Sequence, residues 1–353
     1  MFFRPLTLLL LALVAAGCSR AASPGAGVRP AAPARGAAVA PLSADSVGLL
    51  LGALAADSME GRGTATRGGD RAARFIADRM KEYGLVAGGD SGYFQRVPLE
   101  ATTDSTGRRR LALVTSAEVP EATVRAVNVV GIVPGADPAL GSEAVLIDAH
   151  YDHLGIGAPV AGDSIYNGAD DDASGVVAVL GAARALASGP PPKRTVVFLA
   201  TTGEEVGLLG TRWYIAHPVV PLARTVANLE IEMIGRPDSL AGGTGKGWLT
   251  GFERSTMGER LAAAGIPVVP DPRPEQQFFQ RSDNIAFARL GIPAHTLSSY
   301  NMHDDYHTPA DEADRIDDAH LARLVDAAAR AARLLADGEA PAWKPGGRPA
   351  PQP

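Results

Sequence analysis

The chain has 353 residues, of which 46% are hydrophobic and 20% are charged, and its formal net charge is −6. This balance is typical of a globular protein with a sizeable core, and it excludes a fibrous or collagen-like chain. No basic run is long enough for a nucleic-acid surface, and we interpret the densest one, residues 108–110, as a solvated turn.

The N-terminus has the pattern of a targeting segment. Arg4 precedes an apolar run at residues 6–16, which is too short to span a bilayer. Cys18, the single cysteine, follows Ala15-Ala16-Gly17 and resembles the lipobox of bacterial lipoprotein precursors, although Ala15 replaces the usual leucine. We therefore predict a lipoprotein-type signal peptide at residues 1–18 and an exported protein anchored to the cell envelope by a lipid on Cys18. An ordinary secretory signal, which gives a secreted protein, is the alternative.

Two low-complexity segments flank a central region. Residues 19–41 are rich in Ala, Pro, Gly and Arg without apolar periodicity, which predicts a flexible linker. Residues 339–353 have the same character and predict a disordered tail. The sequence between them, residues 42–338, is expected to form a single domain.

Helical and strand-like periodicities alternate along this domain. Apolar residues at helical spacing predict helices at 47–56, 69–83, 173–187, 206–216, 255–264, 283–290 and 317–336. Runs of β-branched and apolar residues predict strands at 126–133, 144–149, 195–200, 225–233 and 292–297. The alternation predicts an α/β fold with a largely parallel sheet covered by helices on both faces.

Potential metal ligands stand where predicted strands end. His150 follows the strand at 144–149, and Glu204 and Glu205 follow the strand at 195–200. In open α/β sheets, ligands bind at the carboxyl ends of the strands. A hydrolytic two-metal site needs a bridging carboxylate, further ligands for each ion and a base for the water, and the sequence supplies this set.

The chemistry of these residue types suggests their roles. His150 can offer a neutral imidazole, and Asp152 is placed to accept a hydrogen bond from its other ring nitrogen. The carboxylates of Asp170-Asp171-Asp172 repel one another unless cations neutralise them, although a single aspartate there could be only a helix cap. Of Glu204 and Glu205, one can bind an ion while its neighbour acts as general base.

Two positions later in the chain complete the candidates. Glu232 follows an apolar strand, but Glu230 lies on the same strand face, so periodicity leaves either of them as the ligand. His307 lies in the segment Tyr-His-Thr-Pro at 306–309. A lone histidine is more often structural, and we give that interpretation to the remaining ones, namely His153, His217, His295, His303 and His320.

Taken in order, these motifs resemble the co-catalytic zinc aminopeptidases of metallopeptidase family twenty-eight. The motifs are His150-Tyr151-Asp152, Asp-Asp-Asp-Ala-Ser-Gly at 170–175, Glu204-Glu205, Glu-Met-Ile-Gly at 232–235 and Tyr-His-Thr-Pro at 306–309. Met-Glu-Gly-Arg-Gly at 59–63 precedes them and is also family-like. The resemblance implies a mixed, mainly parallel eight-stranded sheet sandwiched between helices, the zinc exopeptidase fold.

The resemblance implies two zinc ions bridged by Asp171. It places His150 and Glu232 on one ion, and Glu205 and His307 on the other. Glu232 departs from the aspartate that is commonest at its position in the family.

The resemblance also implies the catalytic residues. Glu204 would be the general base, which takes a proton from the water and delivers it to the leaving amine. Asp152, with Asp311, would support the ligands, and Asp172 would share a cis peptide bond with Asp171.

The implied function is hydrolysis of the N-terminal peptide bond in peptides with a free N-terminus, with no nucleic-acid partner. The alternatives are a carboxypeptidase or dipeptidase of the same fold, an N-terminal glutaminyl cyclotransferase that works with one zinc, and a non-catalytic surface binding module. The segment at 101–143 is too short for the protease-associated domain that many relatives insert. Four aromatic residues could line a substrate pocket or belong to the core: Trp248, Phe278, Phe279 and Tyr300.

Overall fold

The structure, a computed structural model, describes residues 1–2, 40–105, 107, 109–114 and 123–351. Cys18 and most of the predicted signal peptide and linker therefore lie outside the described residues. From residue 40 onward the described residues belong to one compact unit, Arg35–Pro353.

Seven α-helices and twelve strands are found in the described part of the chain. The helices are α1 Ala44–Leu54, α2 Arg67–Glu82, α3 Gly175–Ser188, α4 Leu209–Ala216, α5 Met257–Ala263, α6 Asn284–Arg289 and α7 Asp318–Asp337. The strands are β1 Val86–Ala87, β2 Phe94–Thr103, β3 Arg109–Leu113, β4 Thr123–Val133, β5 Ala144–His150, β6 Gly155–Val160, β7 Asp163–Tyr166, β8 Thr195–Thr201, β9 Thr225–Ile231, β10 Gly247–Leu249, β11 Val268–Pro270 and β12 Ala294–Ser298.

The main sheet is mixed, with parallel strands at its centre. Its order is β11-β10-β12-β9-β5-β8-β4-β2-β3, and β1 pairs with β4. The central strands β12, β9, β5 and β8 pair in parallel, while β4, β2 and β3 add antiparallel strands on one side. Strands β6 and β7 form a separate hairpin.

Alternation along the central strands divides the core into two layers. In β5, Val145 and Ile147 pack into a large cluster with α1, α2, α3 and α7, whereas Leu146 packs with α4 and α6 on the opposite face. Successive side chains of a strand point to opposite faces, and every residue of β5 is buried. A strand covered on both faces therefore lacks an alternating polar pattern.

Three of the seven described helices, α1, α2 and α7, begin at a side chain that accepts a hydrogen bond from a free backbone N–H group. The Ser43 hydroxyl accepts from Ser46 N at the start of α1, Thr66 accepts from Gly69 N in α2, and Asp317 accepts from His320 N in α7.

The α/β class with a mixed sheet between helices is confirmed, but the number of strands differs from the prediction. Among the described residues, the main sheet has ten strands rather than eight. The strands of this sheet that periodicity did not predict, β1, β2, β3, β10 and β11, lie outside the parallel centre, and all but β2 have five residues or fewer.

The C-terminal segment was expected to be disordered from residue 339, and this is wrong for the described residues 339–351. Trp343 forms a β-bridge with Ser255, and its indole N–H donates to Gly291 O at 2.9 Å. The backbone N–H of Lys344 donates to Arg254 O at 2.9 Å. Because the segment is rich in proline and glycine, its composition does not reveal these few anchoring contacts.

Candidate metal centre

The carboxyl ends of β5, β8 and β9 bring the predicted residues together at one edge of the sheet. His150 is the last residue of β5, Glu204 and Glu205 follow β8, and Glu232 follows β9 directly. Parallel pairing of these neighbouring strands places their ends side by side. The sequence expectation of one site at this edge is therefore matched by the positions of these residues.

Asp171 lies at the centre, and its two carboxylate oxygens face different groups. Oδ1 lies 3.3 Å from His150 Nε2, and Oδ2 lies 3.1 Å from His307 Nε2. The peptide bond between Asp171 and Asp172 is cis. One buried carboxylate thus contacts both sides of the site.

The other two aspartates of the triplet fix the loop. Asp172 accepts from Gly175 N at the start of α3 and from Met233 N, both at 3.0 Å. Asp170 accepts from Gly235 N at 2.7 Å. The cap interpretation therefore fits Asp172, and the central position belongs to Asp171 alone.

Two groups of side chains could each hold a metal ion. Among the described residues they are His150, Asp171 and Glu232 on one side, and His153, Asp171, Glu205 and His307 on the other. In the first group, Glu232 Oε1 lies 3.9 Å from His150 Nε2. In the second, Glu205 contacts His307 Nε2 at 3.3 Å and His153 Nδ1 at 2.8 Å.

His153 is the residue that sequence reasoning missed. We expected it to be structural, but it lies in the second group, whereas His217, His295, His303 and His320 belong to neither group. The only sign in the sequence was its place one residue after Asp152 in the strand-end motif.

Glu230 and Glu232, which periodicity left equivalent, have different environments. Glu230 is fully buried and accepts from the backbone N–H of Asp283 and Asn284 at 3.0 and 2.9 Å, and from the hydroxyls of Ser282 and Thr296. Its acceptor capacity is used at the start of α6. Glu232 is the one whose carboxylate faces His150.

Asp152 supports the site, but not through the contact we expected. His150 Nδ1 pairs with the backbone carbonyl of Asp152 at 3.0 Å rather than with its carboxylate. That carboxylate instead accepts from Thr64 Oγ1 at 2.7 Å and from Glu204 N at 3.2 Å. It therefore holds the backbone at Glu204 rather than orienting the imidazole.

Asp311 holds the backbone of the central loop. Its carboxylate accepts from Asp170 N and Asp171 N at 3.0 and 3.1 Å, and it pairs with Arg236 at 3.3 Å. The supporting role implied for Asp311 is thus to bind the backbone N–H groups of Asp170 and Asp171.

The site leaves buried polar atoms without hydrogen-bond partners. These are His150 Nε2, both ring nitrogens of His153, His307 Nε2 and Glu205 Oε1. Buried polar atoms are almost always paired, so a set of unpaired atoms that face one another fits a bound cation. Neutral imidazole nitrogens and carboxylate oxygens are zinc ligands, so the residues present fit this metal.

Burial and mutual repulsion act on the carboxylates of the site. Burial raises the pKa of the Glu204 carboxyl well above its ordinary value, His150 opposes this, and Glu232 adds to it. Burial also raises the pKa of Glu232 to about 8, with Glu230 contributing. Cations placed among these groups would offset the repulsion.

Two cavities border these residues. One, of about 260 Å³, is lined by Asp171, Glu204, Glu205 and Glu232 at one end. Its other walls include Met233, Trp248, Phe278, Arg281, Tyr300 and Tyr306. The second, of about 800 Å³, borders His153, Glu205 and His307 and runs along the β6–β7 hairpin.

Of the four aromatic residues considered for a substrate pocket, three line the smaller cavity and one lies in the core. Trp248, Phe278 and Tyr300 line the smaller cavity, with the Trp248 and Phe278 ring centroids 5.2 Å apart. Phe279 instead packs in the core cluster on the α4 and α6 face.

Comparison with known proteins fits this geometry. Residues 128–332, more than half of the chain, match Peptidase family M28. The chain belongs to peptidase family M28. The family predicted from the order of the motifs is thereby confirmed.

Curated relatives of this M28 peptidase include proteins of much greater length. The vacuolar membrane protease of Clavispora lusitaniae is 28% identical over 221 residues, which are 60% of this chain and 20% of that protein. The probable leucine aminopeptidase 2 of Aspergillus oryzae is 31% identical over 172 residues, 47% of this chain and 32% of that protein. The chain spans about a fifth of the length of the vacuolar membrane proteases that it matches.

Solved structures share the fold of this M28 peptidase. The aminopeptidase from Aneurinibacillus sp. strain AM-1 has a TM-score of 0.63 at 17% identity and covers 84% of this chain and 95% of its own. A zinc aminopeptidase from Bacillus subtilis has a TM-score of 0.60 at 17% identity, with 85% and 96% covered. At these identities the likeness establishes the fold alone.

The predicted localisation is contradicted by the comparisons. We expected an exported bacterial lipoprotein or a secreted protein, but the curated relatives include several vacuolar membrane proteases of fungi, which does not fit a bacterial lipoprotein. Among the described residues, every helix is too short or too polar to cross a bilayer.

Proposed function

We propose that this M28 peptidase is a zinc-dependent aminopeptidase that holds two zinc ions and hydrolyses the N-terminal peptide bond of peptides. One observation carries the proposal: the two oxygens of Asp171 face different ligand groups, so a single carboxylate can bridge two ions. Two-metal sites of this kind are a recurring arrangement in hydrolytic enzymes, including aminopeptidases.

The ligand assignment follows the two groups. His150 and Glu232 would hold one ion, Glu205 and His307 the other, and Asp171 both. When bound, the zinc ions supply Lewis acidity that polarises the scissile carbonyl and lowers the pKa of the attacking water.

Glu204 is the proposed general base. Its side chain lines the smaller cavity beside Asp171, and the Asp152 carboxylate fixes its backbone N–H. The Glu204 carboxylate takes a proton from the attacking water and transfers it to the nitrogen of the leaving amine.

The cavities support cleavage next to a free N-terminus. The smaller cavity, about 260 Å³, lies below the range of about 300–1,000 Å³ usual for ligand pockets and suits one residue. Its carboxylates attract a substrate ammonium group. The larger cavity, which Glu205 also lines, offers room for the rest of the peptide, and the exposed side chains of Leu154, Ile156 and Val206 line it.

One observation favours a second candidate, a carboxypeptidase or dipeptidase. Arg281 is exposed, lines the smaller cavity and stacks over Phe278 at 5.0 Å, and it forms no ion pair with a carboxylate among the described residues. A free guanidinium there could bind a substrate carboxylate. Chromogenic aminoacyl substrates separate the candidates, because an aminopeptidase cleaves them when the amine is free and not when it is acylated.

The decisive experiment combines metal analysis with two variants. We expect Glu204→Gln to keep two zinc ions per chain while its kcat falls by about 10²–10⁴-fold, the usual contribution of a general base. Asp171→Ala should lose both metal and activity. Wild-type activity that survives thorough zinc removal, or near-normal turnover by Glu204→Gln, would contradict the proposal.

A further inference from the structure

We propose that His153 is a fourth protein ligand of the metal held by Asp171, Glu205 and His307. The inference rests on the two-zinc content proposed above and adds a residue to it. The side chain of His153 is completely buried, and it reaches the site from the chain just beyond Asp152.

The ligand atoms of His153 and of the other three residues lie close enough together to bind one metal ion. His153 Nδ1 lies 2.8 Å from Glu205 Oε1 and 3.7 Å from Asp171 Oδ2, and its ring centroid lies 5.5 Å from that of His307. One donor atom from each of the four residues lies within 4.8 Å of all the others. Zinc bonds of about 2.0–2.1 Å in a tetrahedral site place donors about 3.3 Å apart, so these spacings bracket that arrangement.

The short contact between His153 Nδ1 and Glu205 Oε1 lacks the geometry of a hydrogen bond. Neither ring nitrogen of His153 has a hydrogen-bond partner, and neither does Glu205 Oε1, although these atoms are buried. A buried imidazole with both nitrogens unpaired is destabilising unless a ligand uses one of them. The backbone of Gly168 lies against the ring, since a Cβ there would stand 2.5 Å from His153 Cγ. The ring is therefore held in place beside the carboxylates.

The consequence is that the two metal positions are unequal. One has four protein donors, and the other has three, from His150, Asp171 and Glu232. Zinc sites closed by four protein ligands are typically structural, whereas catalytic sites leave a position open for water or substrate. We therefore expect the four-donor position to bind zinc more tightly and to lose it last.

Zinc titration of the metal-free full-length protein against a chromogenic chelator tests this. Wild type should show two affinity classes. His153→Gln keeps a hydrogen-bond donor but is a poor ligand, and it should weaken the tight class by about 100-fold or more. His153→Glu supplies a carboxylate ligand and no donor, and it should recover much of that loss.

The opposite result would overturn the proposal: His153→Gln would keep the high-affinity zinc site and His153→Glu would lose it. His153 would then be a positioning residue for Glu205. His295→Gln is the matched control. His295 is a buried histidine whose nitrogens pair with Ser255 Oγ and Thr250 O, so its replacement should leave both classes unchanged.

A measurement on the wild-type protein tests the proposal even if the variants fail to fold. With one equivalent of Co²⁺, proton NMR should show two hyperfine-shifted, solvent-exchangeable imidazole N–H signals, from His153 and His307. A single signal would refute the assignment. Wild type that binds no metal contradicts the proposed function itself, whereas two bound ions with wild-type affinities in both His153 variants contradict this inference alone.

Discussion

At the residue scale, the least expected feature beside the site is a buried cation. The side chain of Arg62 is fully buried and donates to the backbone carbonyls of Tyr151, Asn167 and Gly168 at 2.7, 2.5 and 2.7 Å. It also donates to Leu54 O at 3.0 Å. A guanidinium has five donors in a rigid plane, so one side chain can hold the strand end and the central loop together.

Replacing Arg62 should therefore cost more than an ordinary substitution. We expect Arg62→Met to lower the free energy of unfolding by about 3–5 kcal/mol, because buried carbonyls lose their donors and the nearby carboxylates lose a cation. Urea denaturation with the folded fraction followed by circular dichroism measures this. Arg74→Met, an exposed position on α2, should stay within about 0.5 kcal/mol of wild type, and equal effects in the two variants would show that Arg62 has no special role.

The choice between neighbouring acids also belongs to the residue scale. Periodicity placed Glu230 and Glu232 on one strand face, and the local sequence contains nothing that separates them. The hydroxyl and N–H groups that occupy Glu230 come from segments about fifty residues or more away in the chain. Only folding brings such partners together, so the sequence could not decide between the two.

At the element scale, the central strands of the sheet were easier to predict than the strands outside its centre. The five predicted strands all correspond to strands of the sheet, four of which form its parallel centre, because buried strands have long apolar runs. The hairpin of β6 and β7 was not predicted. Five of the six residues of β6 are exposed, and no apolar period marks them.

The C-terminal segment shows how one residue can anchor an element. Trp343 packs near Phe279 and His295, with ring centroids 6.4 and 5.6 Å apart, and its indole N–H is bonded to Gly291. Composition alone suggested disorder, since most of the segment is Pro, Gly or charged.

We expect Trp343→Ala to destabilise the protein by about 2–3 kcal/mol, less than a fully buried aromatic residue because the side chain is only partly buried. Thermal unfolding and limited proteolysis near residue 343 measure the effect. Trp343→Phe keeps most of the packing and should lose only part of this stability. An unchanged melting temperature for Trp343→Ala would mean that the segment does not contribute to the fold.

At the scale of the whole molecule, stability should depend on pH through a buried histidine outside the metal centre. Burial lowers the pKa of His295 to about 4, with a small opposing effect of its bond to Thr250. The unfolded chain has an ordinary histidine pKa near 6.5. Above that pH His295 is neutral in both states, so it does not make the free energy of unfolding depend on pH. As the pH falls from 6.5 to 4, the unfolded state takes up the proton first and the folded state loses stability.

The shift predicts a loss of about 3 kcal/mol from His295 over this pH range. Urea unfolding at several pH values between 7 and 4 should give a shallower pH dependence for His295→Asn than for wild type. The asparagine amide can still donate to Thr250 O but does not titrate. Parallel curves for the two proteins would rule out this role.

The sequence was enough to predict the α/β class, the central strands and the family, and it placed the candidate ligands at the strand ends. These follow from local patterns, because apolar runs specify buried strands and parallel strands bring their ends to one edge. Only the fold shows which carboxylates face the imidazoles, that Asp152 holds the Glu204 backbone, and that Arg62 and His153 lie beside these groups. Those choices depend on contacts between residues distant in sequence, and a side chain's partners there are set by packing rather than by its neighbours in the chain.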